Sequence, residues 1–124
     1  MSVNDKTFEM IAQEVFENLP DDFRSRLQNV HVVVEQIPST ELMRRMKLRP
    51  DSMLLGLYEG VPISSRGTSY GSYPVLPDRI TLFKTPIERA AGKTGLREKI
   101  REVMIHEIGH HFGMTEEELR AAGY

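Results

Sequence analysis

The sequence predicts an α+β domain on three observations. An N-terminal segment repeats apolar residues at helical spacing, and short β-branched or alternating segments occupy the middle of the chain. A long, largely apolar helix near the C-terminus carries two histidines one turn apart. The 124 residues suit one domain, spanning 1–124, and leave little room for a second. An apolar fraction of 40% and a charged fraction of 27% are ordinary for a chain that buries a core.

Phe8, Ile11, Ala12, Val15, Phe16 and Leu19 fall on one helical face, and Pro20 closes that segment. A short second helix follows, with Asp21 or Asp22 as its cap and Phe23 and Leu27 facing inward. Val30 to Glu35 is short and β-branched, so it reads as a strand. Leu54 to Glu59 is a second strand candidate, ended by Gly60-Val61-Pro62. Arg79 to Lys84 alternates polar and apolar residues as a half-buried strand does. Between these two, Val61 to Pro77 is rich in Gly, Ser, Pro and Tyr, which suits a hairpin with a long loop.

Pro86 to Ala91 reads as a helical turn stopped at Gly92. The main helix then runs from Thr94 to Phe112, apolar around much of its circumference through Leu96, Ile100, Val103, Met104, Ile105 and Ile108. Such a helix is buried rather than laid on a surface. Gly113 is its expected C-cap, and Thr115 with Glu118 opens a terminal helix through a capping box.

Several classes are excluded or disfavoured. With no cysteine, disulfide frameworks, zinc–thiolate sites and cysteine nucleophiles are impossible, which leaves His, Asp and Glu as metal ligands. No apolar run approaches the ~20 residues that span a bilayer. The polar start Met1-Ser2-Val3-Asn4-Asp5-Lys6 lacks the basic and apolar regions of a secretory signal, so a cytoplasmic protein is expected. A formal net charge of -2 gives no global pull toward nucleic acid or an acidic membrane.

The chemistry concentrates in His106-Glu107-Ile108-Gly109-His110-His111-Phe112-Gly113. On a helix, His106 and His110 project from one face and can reach one metal ion, with Glu107 beside them to act on water. The H-E-x-x-H pattern arises by chance in roughly one chain in a few hundred of this length, and the apolar helical context makes it more specific. A third ligand is needed. Glu116 is the leading candidate, because Gly113 can turn the chain sharply and return an oxygen toward the metal. Glu117, His111 or an upstream acid are the alternatives, since acids also favour the first turn of any helix. His111 points about 100° away from its neighbour, which suits packing or a supporting hydrogen bond. One zinc ion per chain is expected, although two histidines and a carboxylate also suit Mn, Fe or Co.

Elsewhere the bland reading leads. His31 sits in a strand and reads as structural. Tyr58, Tyr70 and Tyr73 are candidates to stabilise an oxyanion, against the more ordinary role of aromatic packing or loop anchoring. Arg44, Arg45, Lys47 and Arg49 form a basic cluster, as solvated helix faces commonly do. Ser64-Ser65 and Gly67 do not make a phosphate loop.

The run from His106 to Glu116 resembles the zincin metallopeptidases, particularly the aspzincin-like pattern in which an acid follows the glycine. The wider text, Leu55 to Pro62, Leu76 to Ile80 and His106 to Met114, is similar to small bacterial minimal zincins. That resemblance implies a small mixed β-sheet packed on the N-terminal helix and on a buried H-E-x-x-H helix. It implies His106 and His110 as zinc ligands, Glu107 as general base and a peptide or protein substrate held along a strand near Leu57 or the loop from Ser64 to Tyr73. The chain departs from larger zincins in having Glu116 where metzincins place a third histidine, and in lacking the C-terminal subdomain that walls the cleft. Two other functions compete with a zinc peptidase: a non-catalytic zincin-fold binding module, and a metal-dependent hydrolase acting on RNA.

Overall fold

A computed structural model of the chain describes residues 2–27, 29–49, 51–60, 78–92 and 95–124. Its elements in order are α1 (Asp5–Glu17), α2 (Asp21–Arg24), β1 (Val30–Glu35), α3 (Thr40–Arg45), β2 (Gly56–Glu59), β3 (Asp78–Phe83), α4 (Lys84–Ala91), α5 (Leu96–His111) and α6 (Glu116–Ala121). The three strands form a mixed sheet in the order β1-β3-β2, with β1 parallel and β2 antiparallel to β3. The expected α+β architecture, a small sheet with helices α1 and α5 packed on it, is therefore observed.

The central strand explains the core. Successive side chains of a strand point to opposite faces, yet Ile80, Thr81, Leu82 and Phe83 are all buried, so β3 is covered on both sides. Phe8, Ala12 and Val15 of α1 and Ile100, Met104, Ile105 and Ile108 of α5 join Ile80 and Leu82 in one apolar cluster. Asn4 opens α1 by accepting a hydrogen bond from the Thr7 amide at 2.7 Å.

Several boundaries differ from expectation for physical reasons. The α2 cap is Pro20, without a side-chain bond; Asp21 and Asp22 instead occupy the first turn, where the helix dipole favours acids. β2 begins at Gly56 rather than Leu54, because ladder pairing starts where Gly56 meets Leu82. Lys84 belongs to α4, which starts directly from β3, and its buried ammonium lies 3.5 Å from both Asp5 and Glu88. α3 was not expected from periodicity: Ser39 caps it, and none of its residues is buried. The expected loop from Val61 to Pro77, with Ser64, Ser65, Gly67, Tyr70 and Tyr73, and the expected helix start at Thr94 lie outside the described residues. Among the described residues no helix is long and apolar enough to cross a membrane.

Candidate metal centre

The apolar residues of α5 fix its orientation. Burying Ile100, Val103, Met104, Ile105 and Ile108 leaves His106 and Glu107 half-buried and His110 and His111 exposed, on the side away from the core. Two glycines then allow close approach by neighbouring elements. A Cβ on Gly56 would meet Val103 Cγ1 at 2.8 Å and Glu107 Cγ at 3.5 Å, so glycine lets β2 lie directly on the middle of α5. A Cβ on Gly109 would meet Leu119 Cδ2 at 2.8 Å, so glycine lets the fully buried Leu119 of α6 seat against α5.

Between the two helices Gly113 takes φ 88°. Its N–H donates to the His110 carbonyl at 3.0 Å, and the Met114 N–H donates to the Gly109 carbonyl at 2.8 Å, which is a Schellman turn. Thr115 and Glu118 then form the expected capping box. This corner sets Glu116 at the first position of α6, facing back toward α5.

The result is a convergence on one oxygen. Glu116 Oε1 lies 3.0 Å from His106 Nδ1 and 2.8 Å from His110 Nε2. Glu118 is occupied by its cap, and the His111 ring is engaged elsewhere. The other ring nitrogen of His106, Nε2, is 3.2 Å from the main-chain oxygen of Tyr124. The hydrogen bond from His106 holds the exposed Glu116 carboxyl below the usual carboxylate range. Burial does the opposite to Glu107: desolvation raises its pKa, offset in part by His110, by the Tyr58 backbone N–H and by His106. A carboxylate raised toward neutral pH is better matched to take and return protons than an ordinary surface glutamate.

The remaining candidates resolve into supporting roles. The His111 ring stacks on Tyr58, with centroids 3.9 Å apart, so it points away from the convergence point. The Tyr58 hydroxyl donates to Asp78 at 2.7 Å, which makes this side chain a cross-strand anchor. Tyr70 and Tyr73 lie outside the described residues. His31 is exposed on β1. The basic cluster is solvated, with Arg44 and Arg45 in the last turn of α3 and exposed Arg49 3.8 Å from Asp51.

The chain matches a family described as zincin-like metallopeptidases over residues 27–124. It belongs to that family. A solved structure titled a conserved hypothetical protein from Thermo thermophilus is also similar to this zincin-like chain. The two are 25% identical, with a TM-score of 0.55, over 96% of this chain and 99% of that one. No curated protein matches.

Zincin-like proteins are in general zinc-dependent, and the donor set here can be tested against that metal. Two imidazole nitrogens and one carboxylate oxygen are the chemistry of a catalytic zinc site with an open position. The second ring nitrogen of His106 lies 3.2 Å from a main-chain oxygen, the kind of neighbour that metal-ligating histidines have. Ligands at about 2.0–2.1 Å in a tetrahedron stand roughly 3.4 Å apart, whereas these atoms are 2.8 and 3.0 Å apart. Among the described residues no group of three or more His, Asp or Glu side chains is placed to hold a metal ion. Each of these two separations would have to open by roughly 0.5 Å for the atoms to share a zinc ion. The donor types, two imidazoles and a carboxylate, suit zinc.

Sequence reasoning missed three contributors: Gly56, Gly109 and the Tyr124 main-chain oxygen. The last had a faint sign, because Gly123 after the α6 pattern could have been read as a second C-cap.

Proposed function

We propose that this chain is a zinc-dependent peptidase in which His106, His110 and Glu116 hold the metal and Glu107 is the general base. The supporting observation is the convergence of both imidazoles on one Glu116 oxygen, beside a half-buried Glu107. When bound there, zinc would supply Lewis acidity and lower the pKa of a water molecule toward about 7. Glu107 accepts a proton from the attacking water as its oxygen bonds to the peptide carbonyl carbon. Glu107 then delivers that proton to the leaving nitrogen as the C–N bond breaks. Among the described residues β2 is an edge strand beside α5, suited to receive an extended peptide by strand addition.

The test is Glu107→Gln in zinc-loaded protein, assayed on a broad peptide library with metal content read by elemental mass spectrometry. Hydrolysis is expected to fall about 10²–10⁴-fold while zinc stays at one per chain. Unchanged hydrolysis overturns the reading. The closed hydrogen-bonded state of the three side chains favours one alternative, a zincin-fold binding module stabilised by metal without turnover. A lower Tm on chelation together with no hydrolysis of any peptide selects it.

A further inference from the structure

We infer that β1 is the pairing edge of a homodimer, in which two copies of the strand meet antiparallel about a two-fold axis at Val33. Among the described residues β1 has a strand on one side alone, since the sheet runs β1-β3-β2. Four of its six residues are valine and none is lysine or proline, and its register with β3 runs unbroken, without a bulge. Such an edge offers a row of main-chain donors and acceptors as a pairing template. The Asp78 N–H donates to the Asn29 carbonyl at 3.0 Å, and that bond sets the phase of the parallel ladder. The N–H and C=O groups of His31, Val33 and Glu35 therefore face β3, and those of Val30, Val32 and Val34 face outward.

The side chains select a second copy as the occupant. Val30, Val32 and Val34 pack against the core, so the opposite face of the strand carries His31, Val33 and Glu35. In an antiparallel pair centred on Val33, each Val32 meets Val34 of the second copy, and their outward main-chain groups exchange hydrogen bonds. Val33 meets its own counterpart. His31 meets Glu35 of the second copy on both sides of the axis, so an imidazole N–H faces a carboxylate twice, a favourable cross-strand pair. Moving the centre to Val32 or Val34 keeps the hydrogen-bond phase but sets His31 or Glu35, respectively, opposite Val33. A groove between α1 and the valines runs along the same edge, where Met10 is 56% exposed, and the second copy covers it. The product is one six-stranded sheet. Because α5 packs on β2 and β3, both α5 clusters and both β2 edges stay on the outside, and the pairing is independent of the peptidase reading.

The experiment measures mass by sedimentation velocity over a concentration series, for wild type, His31→Glu and the exchange of His31→Glu with Glu35→His. Wild type is expected to reach twice the chain mass. His31→Glu sets carboxylates opposite each other on both sides of the axis and is expected to weaken the dimer about tenfold. The exchange restores both pairs and is expected to recover wild-type association. Both positions are exposed, so neither variant should disturb the fold, with Tm as the check. Val33→Cys supplies a lone thiol in a chain that has no cysteine. Opposed Cα atoms in a non-hydrogen-bonded pair stand about 4.5 Å apart, within disulfide reach, so mild oxidation is expected to lock a covalent dimer. His31→Cys is expected to lock none, because its counterpart lies four residues along the strand, more than about 13 Å away. Wild type that stays monomeric at millimolar chain concentration overturns the inference. So does a dimer that Val33→Cys does not lock, or one in which His31→Glu and the exchange behave alike.

Discussion

Gly113 and Gly123 close two successive helices with the same turn, at φ 88° and 95°, and they serve the cluster differently. The first turn returns a side-chain oxygen, Glu116, to both histidines; the second returns a main-chain oxygen, Tyr124, to His106 alone. The comparison teaches that one local geometry can present a side-chain oxygen in one place and a main-chain oxygen in another. The residue after the turn makes the difference. After Gly113 a new capped helix begins, so a side chain is presented; after Gly123 the aromatic ring is clamped and the backbone itself is presented.

The largest effect is expected at the hinge both turns share. Leu119 is fully buried against Gly109, and Leu119→Ala should cost about 2–5 kcal/mol by denaturant unfolding. Zinc affinity should fall as well, since the proposed ligand Glu116 is carried by α6. A stability loss with unaltered zinc affinity would show that the corner does not depend on this seat. Next come Gly113→Ala and Gly123→Ala, each placing a Cβ in the left-handed region at about 1–2 kcal/mol. The sharper readout is zinc affinity, which should fall more for Gly113→Ala, because that turn sets the proposed ligand Glu116 against both histidines. Equal losses would erase the distinction. Thr115→Ala removes the cap that fixes α6 and should cost about 1 kcal/mol, with Tm as its measure.

The smallest effect is a pH dependence of the zinc-free protein. The hydrogen bond from His106 lowers the folded pKa of Glu116 below the ordinary glutamate value of about 4.3. Its contribution to stability is therefore complete above that value and is lost as pH falls through the folded pKa. The Tm gap between wild type and Glu116→Gln should close on acidification. A gap that widens as pH falls would contradict the hydrogen bond from His106.

The sequence reading reached the helix faces, the β3 strand, the Gly113 stop and the Thr115 capping box, because each is set by neighbours within a few residues. It also favoured Glu116 among three consecutive acids, from the spacing, the Gly113 turn and the capping role of Glu118, while leaving Glu117, His111 and an upstream acid open. It missed α3, whose two apolar residues, Leu42 and Met43, are adjacent and only partly buried, too few to make a periodic pattern. It assigned the α2 cap to an aspartate, because capping chemistry is judged locally and Pro20 supplies the entry φ without a side-chain bond.

What the sequence by itself determined was the chemical inventory and its local order: two histidines one turn apart, a glutamate beside them, and a glycine stop before an acid. What only the tertiary structure decided was which atoms meet. The parallel pairing of β1 with β3, the approach of β2 over Gly56 and the seating of Leu119 on Gly109 all join residues far apart in the chain or on separate elements. Local spacing cannot encode such contacts. They exist because burying one shared core leaves each element a single place to lie, and the choice of Glu116 Oε1 and the Tyr124 oxygen follows from that packing.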